Sequence, residues 1–251
     1  MTATGSAELR DVYEHQYSAE GADAERYGAW RALCAEGKAD HVAALAAPLA
    51  DRPRTLVEVG CGDGGLLEAL AARRLADSLH GFDISERAVQ IARGRPAIER
   101  VERFDGASLP AADGAYDLGV LSHVLEHVSD PMPLLRETAR VCRAVVVEVP
   151  LEDNRSASRP AAQRGREAIG HLHRFSRADV HRLTGGAGLQ VIGELADPLP
   201  LRVHRFWAVG PAARMKASGK AALRRALFTV APAEAERAFT VHYAALLVPR
   251  P

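Results

Sequence analysis

Apolar residues in the middle of the chain fall into short runs separated by helical spacings. Arg54 to Val59 is one such run, stopping at a glycine turn, and Leu66, Leu67, Ala69 and Leu70 then mark a helix over Gly64 to Arg74. The alternation repeats. Strands are predicted over Leu79 to Ile84, Ile98 to Phe104, Tyr116 to Leu121 and Ala144 to Val149. Ser85 stands as the N-cap of a helix through Arg93, and Pro131 opens a helix through Cys142. The valines before Val149 are interrupted only by Glu148, a pattern that suits a strand buried on both faces. Ser176 and Asp179 have the spacing of a capping box, and Gly185-Gly186 ends that helix. Strands over Leu189 to Leu195 and Phe239 to Val248 complete seven. The fold class expected is α/β: a Rossmann-like, doubly wound, mostly parallel seven-stranded sheet.

The flanks read differently. Ala7 to Leu49 is mostly helical in pattern and concentrates aromatics at Tyr13, Tyr17, Tyr27 and Trp30. Those rings suit either helix packing or a lid that faces a ligand. Leu151 to Arg174 is a long polar stretch expected as a loop. Pro200 to Ala238 reads as a partly helical insertion carrying Arg214, Lys216, Lys220, Arg224 and Arg225. The expected organisation is a helical cap over 1–50, an α/β core over 51–199, a helical insertion on the substrate side over 200–238, and the last core strand over 239–251.

Composition narrows the class. With 47% hydrophobic residues in 251, a full core is available. Thirty-two basic residues balance 32 acidic ones, so a protein built to hold nucleic-acid backbone is not expected. Cys34, Cys61 and Cys142 are odd in number and form no C-x-x-C pair. The N-terminal stretch lacks an apolar leader, and no apolar run reaches membrane-spanning length. Together these point to a cytoplasmic protein without a membrane partner.

The chemistry concentrates at the first glycine turn. Gly60, Gly62 and Gly65 satisfy G-x-G-x-x-G, the dinucleotide fingerprint, and Asp83 ends the second strand, where a carboxylate accepts from ribose hydroxyls. A pyrophosphate would lie beside Glu58 and Asp63, which repel it. S-adenosylmethionine has no phosphate and carries a sulfonium and an ammonium, which carboxylates attract. Asp105 ends the third strand, in reach of an adenine amine. Acids on three successive strands favour S-adenosylmethionine over NAD.

The segments Glu58-Val-Gly-Cys-Gly-Asp-Gly64, Gly81-Phe-Asp-Ile-Ser85, Asp105-Gly106 with Leu109-Pro110, and Tyr116-Asp-Leu118 leading to His123-Val-Leu-Glu-His127 occur in order. Together they resemble class I S-adenosylmethionine-dependent methyltransferases, with the nearest look to the type 11 group that includes ubiquinone-biosynthesis enzymes. The resemblance covers roughly Pro53 to Gly193. It implies that Glu58 and the Gly60-Cys61-Gly62 backbone hold the methionine end. Asp83 then takes the ribose, Ile84 an adenine face, Asp105 the adenine amine with Gly106 beside it, and the Ser122 backbone the ammonium side. The termini lie outside it, where such families usually determine substrate.

His123-x-x-Glu126-His127 also matches the H-x-x-E-H zinc peptidase pattern, which requires a sustained helix that Asp130-Pro131 curtails. A second metal reading likens His123, Glu126, His127, His171 and His173 to the metal-binding set of RNA 3′-terminal 2′-O-methyltransferases, although hard divalent ions prefer oxygen ligands, only Glu126 supplies one and His123 replaces an acid of that pattern. No metal ligand is assigned. His123 is the expected base near the transferred methyl, with His171 and His173 helping to bind a small-molecule acceptor, anionic ones included. O-methylation is the expected reaction. The alternatives are the metal-assisted RNA enzyme and a non-catalytic methyltransferase-like subunit.

Overall fold

The structure is a computed structural model that describes residues 3–18 and 20–250. Two helices, α1 (Ala3–Ser18) and α2 (Ala22–Ala46), precede the sheet. The βα alternation follows as β1 (Thr55–Val59), α3 (Gly65–Ala72), β2 (Ser78–Asp83), α4 (Glu86–Arg93), β3 (Arg100–Arg103), β4 (Tyr116–Ser122), α5 (Pro131–Val141) and β5 (Cys142–Leu151). Next come α6 (Pro160–Ala168), α7 (Arg177–Gly186), β6 (Leu189–Asp197), α8 (Leu201–Arg205), α9 (Pro211–Val230), α10 (Pro232–Ala238) and β7 (Val241–Pro249).

Seven strands pair in the order β3-β2-β1-β4-β5-β7-β6. The first five are parallel, and β7 inserts antiparallel between β5 and β6. Period-two alternation along the strands builds two hydrophobic layers. Val57, Val59, Leu121, Val145 and Val147 face one side with Leu134, Leu135 and Val180. Leu56, Leu118, Val120 and Val146 face the other with Val42, Leu45, Leu67, Leu70 and Val89. As the pattern predicts, β5 is buried on both faces, and its Glu148 is fully buried with it.

The local signals act as expected. Ser85 Oγ accepts from the Ala88 amide, a cap typically worth about 1 kcal/mol. Ser176 and Asp179 close a reciprocal capping box. One segment differs. The polar stretch after β5 holds a helix, α6, opened by Pro160. It buries none of its residues, so it left no apolar periodicity to read.

Chain order now fixes where a ligand sits. From β1 the chain steps outward to β3, then returns to β4 on the other flank of β1. At such a reversal the loops after the two strands diverge and leave a crevice at their carboxyl ends.

Candidate active site

A cavity of about 420 Å³ lies at that crevice. Its wall takes Glu58, Gly60, Cys61 and Gly62 from the end of β1, Asp83 and Ile84 from β2, and Gly106 from the loop after β3. Ser122 and His123 line it from β4, and His171 from the segment after α6. Tyr13, Tyr17, Tyr27 and Trp30 of α1 and α2 also line it, so the N-terminal aromatics face the cavity.

The glycine turn has a backbone that only glycine accommodates easily. Gly60 and Gly62 have φ of 79° and 53°. A Cβ at Gly60 would collide with Val124, and one at Gly62 with the Tyr17 hydroxyl. Most amides of this turn are already used. Gly60 and Cys61 N–H both donate to the Phe82 carbonyl, at 2.7 and 3.0 Å. Gly62 N–H donates to Asp83 Oδ2 at 2.7 Å, and Gly65 N–H to Asp63 Oδ1 at 3.1 Å. Gly64 N–H donates to the Cys61 carbonyl at 2.9 Å. A pyrophosphate needs free amides at this position and finds carboxylates instead. The turn matches the dinucleotide fingerprint in sequence but is no anion nest.

A cationic ligand fits the same wall. Glu58 is 4% exposed, and its Oε2 has no hydrogen-bond partner among the described residues. Burial pushes its pKa well above the ordinary value, a rise that Lys38 opposes and that Asp83 and Asp63 add to. An unpaired buried carboxylate costs stability unless a ligand pairs it. Asp83 is also raised by burial, while its oxygens accept from Gly62 and Ser85 amides. Asp83 therefore shapes the turn as well as lining the cavity. Asp105 departs from expectation. It is exposed and absent from the cavity wall, because its Oδ1 accepts from the Ala107 and Ser108 amides at 2.8 and 2.7 Å. It forms a turn, and only its neighbour Gly106 reaches the cavity.

The H-x-x-E-H segment is not helical. It forms a turn after β4, in which His127 N–H donates to the Val124 carbonyl at 3.0 Å. The peptidase reading fails on that point. His123 has φ of 57°, a left-handed conformation unusual outside glycine, which aims its ring at the cavity. His123 Nδ1 lies 3.0 Å from Glu126 Oε1, within ion-pair range though not aligned as a hydrogen bond. Burial works against ionisation of Glu126, but His123, His127 and His171 outweigh it and bring its pKa down to about 2. His171 Nδ1 meets Glu152 Oε2 at 2.8 Å.

His173 is a correction to the expected catalytic set. It lies outside the cavity wall, donates through Nε2 to the Val128 carbonyl at 2.8 Å, and stacks on Phe175. It anchors its loop. The RNA-enzyme reading loses a ligand with it.

Three further groups join the site from distant elements. Glu148 Oε1 is 3.3 Å from His41 Nδ1, 3.3 Å from His242 Nδ1 and 3.7 Å from His123 Nε2. Burial opposes the Glu148 charge, yet these imidazoles hold its pKa well below the usual range. Against burial, Asp197 and Glu148 raise His41 to about 9. His123 is raised as well, with Glu126 and Glu148 overcoming burial and Lys38. Burial and the neighbouring His123 lower His242 to about 4. Glu148 was the sequence's one visible clue, a lone acid among valines. Within this cluster His123, Glu148 and His242 each offer a donor atom within 4.8 Å of the others, as do Glu126, His127 and His171. Both sets are nitrogen-rich, which suits a borderline transition ion better than magnesium.

The family model described as Methyltransferase domain matches residues 26–194. An ajmaline N-methyltransferase of Rauvolfia serpentina is 34% identical over 96 residues, covering 36% of this chain and 33% of the relative. A ubiquinone biosynthesis O-methyltransferase of Nitrosomonas europaea is 31% identical over 97 residues, covering 36% and 40%. The matched region thus spans a third to two fifths of these relatives' length. Among solved structures, a geranyl diphosphate C-methyltransferase from Streptomyces coelicolor, in complex with Mg2+, geranyl diphosphate and S-adenosyl-L-homocysteine, superposes with a TM-score of 0.60 at 16% identity, covering 85% of this chain and 77% of that one. That likeness concerns the fold. With the family model spanning most of the chain, and the glycine turn, Glu58 and Asp83 together at the cavity, the chain belongs to the class I S-adenosylmethionine-dependent methyltransferases.

Proposed function

We propose that this chain transfers a methyl group from S-adenosylmethionine to a small-molecule acceptor, with a hydroxyl oxygen as the attacking atom. Glu58 carries the reading: a buried carboxylate oxygen with no hydrogen-bond partner among the described residues, beside a glycine turn most of whose amides are spent. Bound there, the cofactor supplies an electrophilic sulfonium methyl. Glu58 pairs with its ammonium, with the Gly60-Cys61-Gly62 and Ser122 backbone alongside. Asp83 accepts from the ribose, and Ile84 and Gly106 flank the adenine.

His123 Nε2 takes the acceptor's proton. Glu126 at Nδ1 and Glu148 near Nε2 stabilise the imidazolium that forms. His171, held by Glu152, helps orient the acceptor. The aromatic residues of α1 and α2 exclude water. Glu14 fastens α1 by accepting from the Glu86 and Arg87 amides, at 2.5 and 3.2 Å, at the positive end of α4. A neutral amine needs no base for attack, whereas a hydroxyl does, and this favours O- over N-transfer although the relatives are named for both.

Transfer of a labelled methyl into a panel of hydroxyl and amine acceptors tests the proposal. Label in hydroxyl acceptors, lost with His123→Ala, supports it. Label in amines alone, indifferent to that substitution, contradicts it.

A further inference from the structure

The insertion between β6 and β7 has a surface the catalytic reading does not use. From Pro198 to Ala233 there is no acidic residue, while Arg202, Arg205, Arg214, Lys216, Lys220, Arg224 and Arg225 are all basic. None of these seven forms an ion pair among the described residues, although arginines elsewhere, such as Arg140 and Arg177, pair with acids. Around Lys220 the near charges are Arg224, Arg159 and Lys216, all of like sign.

The same segment exposes large apolar side chains. Met215 is 75% exposed, Leu223 71% and Val230 80%, with Trp207 and Val209 exposed just ahead of the helix. At about 100° per residue, Met215, Gly219, Ala222, Leu223, Ala226 and Val230 of α9 fall within one outward stripe roughly 100° wide. Lys216 and Lys220 border it on one side, and Arg214 and Arg225 on the other. The opposite face packs inward through Ala221, Leu227 and Phe228. No helix among the described residues is long and apolar enough to cross a membrane. An exposed apolar stripe edged by unpaired cations is instead the pattern of a helix lying in the plane of a bilayer surface.

We infer that α9 docks this protein on an anionic lipid surface, with Met215, Leu223 and Val230 entering the headgroup boundary and the flanking cations meeting lipid phosphates. Charge complementarity selects this occupant, because an acid-free face crowded with like charges repels a second copy of itself. The docking surface reaches the cavity. Phe206 and Trp207 pack on Trp30, at 5.3 and 5.8 Å between ring centroids, and Trp30 lines the cavity wall.

Cosedimentation of the full chain with phosphatidylcholine vesicles, with and without phosphatidylglycerol, tests the inference without cofactor or acceptor, so its outcome is separate from that of the proposed activity. The chain is expected to pellet with the anionic vesicles, to release as salt is raised, and to bind neutral vesicles weakly. Replacing Met215, Leu223 and Val230 together by Ser should lower the partition coefficient about tenfold or more with circular dichroism unchanged. Wild-type protein that stays in the supernatant with anionic vesicles overturns the inference, as does a triple variant that binds equally. A dimer that the triple variant dissociates, without vesicle binding, would assign the face to a second copy and also overturn it.

Discussion

Replacing Glu58 by Gln changes charge and leaves shape, and it separates a ligand-binding carboxylate from a structural one. Among the described residues Glu58 Oε2 is buried without a hydrogen-bond partner, and burial raises the pKa well above normal. A folded pKa above the unfolded value means that the folded state gains stability from protonation of Glu58 at low pH, and that this gain disappears as pH rises through the folded pKa. Once pH passes the folded pKa, the ionised carboxylate is therefore a burden on the empty protein. Gln removes that burden, so the Tm of the free variant should equal or exceed that of the wild type. Cofactor affinity should move the other way. A hydrogen bond to a charged group contributes roughly 1.5–3 kcal/mol net, which is about 10- to 150-fold in Kd. Calorimetric titration with S-adenosylhomocysteine, beside thermal melts of the free proteins, measures both quantities. A variant with wild-type affinity, or one that melts below the wild type while binding normally, would refute the assignment and make Glu58 a structural residue.

Three other outcomes follow from the histidine cluster. His123→Ala should lower turnover about 10²- to 10⁴-fold with cofactor affinity intact, and wild-type kcat/KM should rise with pH as the raised His123 loses its proton; a flat pH profile in the wild type would remove it as the base. His41, raised to about 9 by Asp197 and Glu148 against burial, stabilises the fold fully below its unfolded pKa, and that stability is lost as pH climbs through about 9. Tm measured from neutral to alkaline pH should therefore fall less steeply in His41→Gln than in the wild type, and parallel curves would contradict the pairing. Dialysis against a chelator should leave methyl transfer unchanged, because proton transfer to His123 needs no ion and Glu126 already sits at its Nδ1; loss of activity restored by zinc would turn the cluster into a metal site.

The parallel sheet and its capped helices were legible because their signals are local. Ser85, Pro131 and the Ser176–Asp179 box each act within one turn of chain, and the β1–β5 runs carry their own periodicity. Glu58 and Asp83 were legible because a carboxylate at a strand end is out of place in an apolar pattern. His41 and His242 were not, since they meet Glu148 only through tertiary pairing: β7 runs antiparallel to β5, setting His242 opposite Pro150 and Ala244 opposite Glu148. Asp105 and His173 were misjudged for a common reason. Each had a nearby backbone partner, the amides of Ala107 and Ser108 in one case and the Val128 carbonyl in the other. A polar residue near a site is often used up in building its loop. The cations of α9 were visible in the sequence, but the outward aim of Met215, Leu223 and Val230 depended on which face packs inward.

The central claim is that the glycine turn after β1 receives a sulfonium cofactor and not a pyrophosphate. Isothermal titration of the purified full chain with S-adenosylhomocysteine and, separately, with NAD tests it directly. Saturable one-to-one binding of S-adenosylhomocysteine with no heat from NAD is the predicted result. Binding of NAD with none of S-adenosylhomocysteine would contradict the account.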